Sequence, residues 1–201
     1  MSYLTTVERN VAADLLTQGY IKAAKSFSLM AKQEITIKPT SIEISKDDLK
    51  VIKSIKGDDE LILITTSIIG ELGGKSYLIF NEQESRAVHE ACMPHTEDEY
   101  ARTMESEAIL KELDNILSAA VITEFSNYLD TMIFGDVPIL SRSNQAAVKN
   151  KIINDFNGDG SDSGYFMIAN TEFEFQNNTH LKPQFIWKLA EDFMDKIKLV
   201  S

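Results

Sequence analysis

Two long helical patterns, each followed by β-branched and alternating stretches, constrain this chain more than any other feature. Residues 5–32 place Val11, Leu15, Ile21, Ala24, Phe27 and Leu29 roughly at helical spacing, although Gly19 weakens the pattern. Residues 97–129 repeat the pattern, with Ile109, Leu110, Leu113, Ile116, Leu117, Ala120 and Val121 as the buried stripe. Between and after them lie strand signals. Residues 35–37 and 41–44 alternate apolar and polar on either side of Pro39. Residues 61–69 and 76–80 read as two strands around a turn at 70–74. A short helix over 82–93 ends at Pro94. In the second half, 133–140 reads as strand, 144–156 as helix and 157–164 as a tight polar loop. Residues 165–175 and 185–188 then read as strands, and 190–199 as a short amphipathic helix.

The halves resemble each other. Tyr77-Leu-Ile-Phe80 followed by a helix parallels Phe185-Ile-Trp187 followed by a helix, and a long helix opens each half. The expectation is a single α+β domain with an internal duplication, about 1–96 and 97–201. An antiparallel sheet would carry the two long helices packed on one face, related by a pseudo-twofold. Composition narrows the partners. With 20 basic against 31 acidic residues, the net charge is −11, which repels nucleic acid and anionic membrane. The first ten residues hold no apolar signal core, and 61–69 is too short to span a bilayer. A single cysteine, Cys92, excludes an intrachain disulfide framework, so a cytoplasmic location is expected.

Within the second long helix, Glu112-Leu113-Asp114-Asn115 carries the chemistry. At about 100° per residue, Ala108, Glu112, Asn115 and Ala119 cluster roughly 150° from the buried stripe. Glu112 and Asn115, three apart, thus project together toward solvent or a partner, a carboxylate beside a neutral amide. The flanking alanines would let another protein approach closely. Other signals are weaker. Asp155-Phe-Asn157-Gly-Asp159-Gly160 begins like a calcium loop, but its twelfth position is Phe166 where a glutamate is needed. His89, Cys92 and His95 have zinc-like spacing, but Pro94 interrupts them and no fourth ligand is evident, so no metal site is expected. His180 reads as a loop residue, and no Ser-His-Asp order, phosphate loop or dinucleotide fingerprint is present.

Glu112, Asn115 and Pro138, about 22 residues further on, together resemble the signature of the CheC/CheX/FliY family of response-regulator phosphatases, CheC most closely. Ile116-Leu117-Ser118-Ala119-Ala120, Phe125-Ser126 and Gly70-Glu-Leu-Gly-Gly74 fit the same family pattern, as does Ala23-Ala24-Lys-Ser-Phe-Ser28 in the first helix. The resemblance covers nearly the whole chain. Two departures stand out. A second Glu-x-x-Asn is common in the family's first helix, and here Asp14 and Thr17 occupy it, a degenerate second site without its amide. Ala108 stands where the family often has Asp or Ser.

The resemblance implies a function: hydrolysis of the aspartyl phosphate of a CheY-like receiver in chemotaxis signalling. Asn115 would orient the attacking water and Glu112 would pair with the receiver's active-site lysine. The chain would need no cofactor of its own, because the receiver supplies Mg²⁺. The phosphorylated receiver is the expected partner, with a CheD-like deamidase as a further one. The absence of the extra C-terminal domain of FliY proteins points to a free-standing phosphatase. The alternative is a non-catalytic adaptor that docks a receiver or CheD. A third reading is a scaffold that dimerises through its sheet edge or short helices.

Overall fold

The computed structural model describes residues 4–56, 60–93, 98–157, 164–177 and 179–200. The first long helix, α1 (Thr6–Ala31), begins with a capping box: the Thr5 side chain accepts from the Glu8 backbone, and the Glu8 side chain from that of Thr5. It leads into β1 (Ile35–Ser45), a short helix α2 (Asp48–Ser54), the hairpin β2 (Glu60–Gly70) and β3 (Gly74–Asn81), and α3 (Glu82–Cys92). The second half opens with α4 (Glu99–Leu129) and continues through β4 (Ile133–Gly135), β5 (Ile139–Asn144) and α5 (Gln145–Asn157). It ends with β6 (Gly164–Phe175), β7 (His180–Leu181), β8 (Gln184–Ala190) and α6 (Glu191–Val200).

Among the described residues the strands form one eight-stranded sheet in the order β1-β6-β8-β3-β2-β4, with β5 alongside β4 on β2 and β7 on β6. Every pairing is antiparallel. The helices α1, α3, α4 and α6 lie on one face, over Ile62, Ile64, Leu78, Phe80, Met167, Phe185 and Trp187. The other face, which the sequence reading left without an occupant, is covered in part by a smaller core. There Val51 of α2 and Val148 and Ile152 of α5 join Leu61, Leu63, Tyr77, Phe166 and Ile186. This explains why 61–64 is apolar throughout: both faces of β2 are buried there. The fold is therefore α+β, an antiparallel sheet with two long helices packed on one face.

Several sequence expectations need correction. Residues 35–45 form one strand, not two pieces: Pro39 is tolerated because β1 is an edge strand and its register with β6 shifts between Pro39 and Ser41. Residues 133–140 are not one strand. They divide into β4 and the start of β5, both on β2, with Asp136-Val137-Pro138 between them and the Asp136 N–H turned to the Ser67 carbonyl. His180 is not in a loop; it pairs with Glu174 as part of β7. Gly19, which weakened the helical pattern, has a packing role. A Cβ there would lie 2.6 Å from Val121 Cγ2 and 2.7 Å from Val121 Cα, so α1 and α4 cross where α1 has no side chain.

Candidate functional site

The helix α4 is 31 residues long, about 45 Å at 1.5 Å per residue. It starts at Asp98, whose carboxylate accepts from the Tyr100 and Ala101 backbone, and ends at Asp130 in the left-handed region. Leu110, Leu113, Leu117, Val121 and Phe125 bury its inner side, and Ile109, Ile116 and Ala120 pack partly against the same core. The opposite side carries Ala108, Glu112, Asn115 and Ala119, all exposed. The stripe and the pair thus lie where periodicity put them. Among the described residues, no hydrogen bond or ion pair ties down Glu112 or Asn115. Their polar ends are free on a rigid support.

Beneath the pair lies a residue that sequence reasoning missed. Asp114 is 0% exposed, and its Oδ2 accepts a 2.6 Å hydrogen bond from Thr66 Oγ1 of β2. Ser118, one turn along, donates to the Asp114 backbone carbonyl and lies 3.4 Å from Oδ2. Burial pushes the carboxyl up to about 7, against the pull of the two hydroxyls. The signal was in the sequence: Asp114 is four residues after Leu110 and three before Leu117, an acid inside the apolar stripe.

The Asp14/Thr17 pair on α1 is arranged differently. Asp14 is exposed, while Thr17 is half-buried and its Oγ1 donates to the Ala13 carbonyl at 2.8 Å. That hydroxyl is turned back onto its own helix. The two helices are pinned side by side by the Gly19–Val121 contact and by an ion pair from Lys22 to Glu124. Pro138 is half-buried in the link between β4 and β5.

The remaining candidates are described only in part. His89 is buried, with Nε2 3.4 Å from Glu105, and burial pushes the Cys92 thiol up to about 11. His95 lies outside the described residues. Asp155 would open the calcium loop, but Lys75 and Lys151 each approach its carboxylate at 3.5 Å. Most of that loop lies outside the described residues, and Phe166, at its twelfth position, is buried in the smaller core. Among the described residues no group of three or more His, Cys, Asp or Glu could hold a metal. No helix among them is long and apolar enough to cross a membrane. A crevice of about 430 Å³ is lined by Lys56, Glu84, Asn170, Lys182 and Gln184 among others, and contains neither Glu112 nor Asn115. The pair stands on an open helix face, an arrangement suited to a partner that brings its own cleft.

No protein-family model matches the sequence, and no curated protein matches it. Solved structures do match the fold. FliY from Thermotoga maritima superposes with a TM-score of 0.74 at 15% identity, covering 99% of this chain and 98% of that one. The FliM middle domain from H. pylori gives 0.60 at 9%, covering 96% and 99%. CheX from Desulfovibrio desulfuricans gives 0.56 at 13%, covering 90% and 99%. The chain therefore has the fold shared by these chemotaxis and flagellar proteins.

Proposed function

We propose that this chain is a phosphatase of a phosphorylated CheY-like receiver, working through Glu112 and Asn115. The observation that carries the reading is the pairing of a free carboxylate and a free amide on the exposed side of a helix whose inner side is fully packed. An acyl phosphate is already activated, so the helper needs no nucleophile of its own. The Asn115 amide holds a water in line with the phosphorus. The water oxygen forms a bond to phosphorus as the bond to the receiver's aspartate oxygen breaks. The products are inorganic phosphate and a free carboxylate. Glu112 pairs with a lysine of the receiver and seats the helix over the phosphate, and Mg²⁺ arrives with the receiver. Asn does not ionise near neutrality, so turnover needs no tuned proton acceptor in this chain.

The finer assignments belong to the same proposal: closest kinship to CheC, an internal duplication at about residue 96, a cytoplasmic setting, and CheD as a further partner. The rival is an adaptor that docks a receiver without hydrolysing it. Ala108 and the degenerate Asp14/Thr17 pair favour it, as does likeness to FliM, which from H. pylori was solved in a FliG–FliM complex. The deciding experiment incubates phosphorylated receivers with this protein and follows acyl phosphate. Accelerated loss is expected; tight binding with an unchanged phosphate lifetime would make the adaptor reading the right one.

A further inference from the structure

The buried carboxyl of Asp114 has no part in the chemistry just described, yet it sits between the two residues that do. Its Oδ2 is held by the Thr66 hydroxyl, and its Oδ1 is buried without a partner. The groups that face it are hydroxyls, Thr66 from β2 and Ser118 from its own helix, and among the described residues no charged side chain shifts it. A buried acid in this condition costs stability, where an apolar residue of similar size would not.

The first long helix shows the inexpensive alternative. Aligning Asp14 and Thr17 with Glu112 and Asn115 places Leu16 opposite Asp114, and Leu16 is also 0% exposed. The fold thus accommodates leucine at this place on a long helix. The acid occurs on the helix with the intact pair.

We propose that Asp114 is a positioning residue for Glu112 and Asn115: through Thr66 it fixes the rotation of α4 about its own axis. The inference rests on the phosphatase reading of that pair. Apolar packing is weakly directional, and Leu110, Leu113, Leu117 and Val121 could repack after a small rotation. A hydrogen bond to a strand residue could not follow it. At a side-chain radius of about 5 Å, a turn of about 20° carries both polar ends by about 2 Å. A misplacement of about 1 Å can cost on the order of 100-fold in rate.

The test compares Asp114→Asn, Asp114→Leu and the double variant Asp114→Leu/Thr66→Val, which leaves no hydroxyl stranded if the single leucine variant folds poorly. Asp114→Asn, which keeps an acceptor for Thr66, should stay within about threefold of the parent kcat. The double variant should be at least as heat-stable as the parent. Its kcat should fall by about 10- to 100-fold with little change in KM for the phosphorylated receiver. Parental kcat in the double variant overturns the inference, as does an asparagine variant as impaired as the leucine one. If the parent itself hydrolyses no receiver phosphate, the phosphatase reading fails, and Asp114 is judged by the NMR signals of the Asn115 side-chain amide. Those signals should move in the double variant; superimposable spectra overturn the positioning role.

Discussion

The helices α1 and α4 occupy the same face of the same sheet, yet the exposed Glu112 and Asn115 of α4 are matched on α1 by Asp14 and the half-buried Thr17. Both are capped by a side chain at their start and ended by a residue in the left-handed region. They touch backbone to backbone at Gly19 and Val121. In α1 the matching polar positions hold a shorter acid and a hydroxyl spent on its own helix, and the residue between them is an ordinary core leucine. In α4 the ends are free and the residue between them is tethered to the sheet. The difference teaches that an exposed pair on a helix is only as capable as its underside allows.

The comparison can be broken at its strongest point first. Asn115→Ala should lower turnover by about two to three orders of magnitude while receiver binding stays nearly intact, since the amide acts chiefly in the transition state. Single-turnover decay of a phosphorylated receiver measures it, and an undiminished rate would refute the mechanism. Next is the cost of the tether. The Asp114 carboxyl is raised to about 7 in the fold, from an ordinary value near 4 when unfolded. Its contribution to stability is fully present below about pH 4 and is lost as pH rises through about 7. Relative to Asp114→Asn, the parent should therefore lose roughly 2–3 kcal/mol between pH 5 and pH 8, read from urea midpoints. A constant difference across that range would mean the carboxyl is not desolvated. Glu112→Lys should weaken binding of the phosphorylated receiver by about 10-fold or more, by setting like charge against its lysine. Titration calorimetry decides, and unchanged affinity would move the docking face elsewhere. The smallest effect is expected from Asp14→Ala/Thr17→Ala, less than about twofold in turnover, because β-branched Thr17 is too short and too stiff to reach a water beyond the helix. If this variant were the damaged one, the roles of the two helices would be reversed.

Much of this was legible in the sequence, for physical reasons that differ by element. The apolar stripe of α4 and the exposure of Glu112 and Asn115 follow from periodicity alone, because a long helix repeats its signal many times. The α2 helix was missed because it is seven residues long, with Val51 its one fully buried apolar side chain, and such a segment has no period to detect. The break at 136–138 was hidden because its flanks, Ile133 and Ile139-Leu140, each look like strand on their own. Gly19 looks like a weak point in the sequence because local propensity carries no information about the helix that crosses there. Asp114 is hard to single out because one acid within the apolar stripe barely alters its period, while the polar pair beside it marks the exposed face.

The order of strands carries a consequence for how the chain is made. Strand β1 belongs to the first half by sequence, but its hydrogen-bonding partner in the sheet is β6, with Ile35 facing Phe175. It has no pairing with β2 or β3. As the polypeptide leaves the ribosome, β1 therefore waits with its edge unpaired until residues 164–175 have been synthesised. Closing so distant a contact is slow, and the waiting strand is open to mispairing. The hairpin of β2 and β3 can form early, whereas the sheet closes only once β6 and β8 have emerged. Refolding from denaturant should be limited by the arrival of β6.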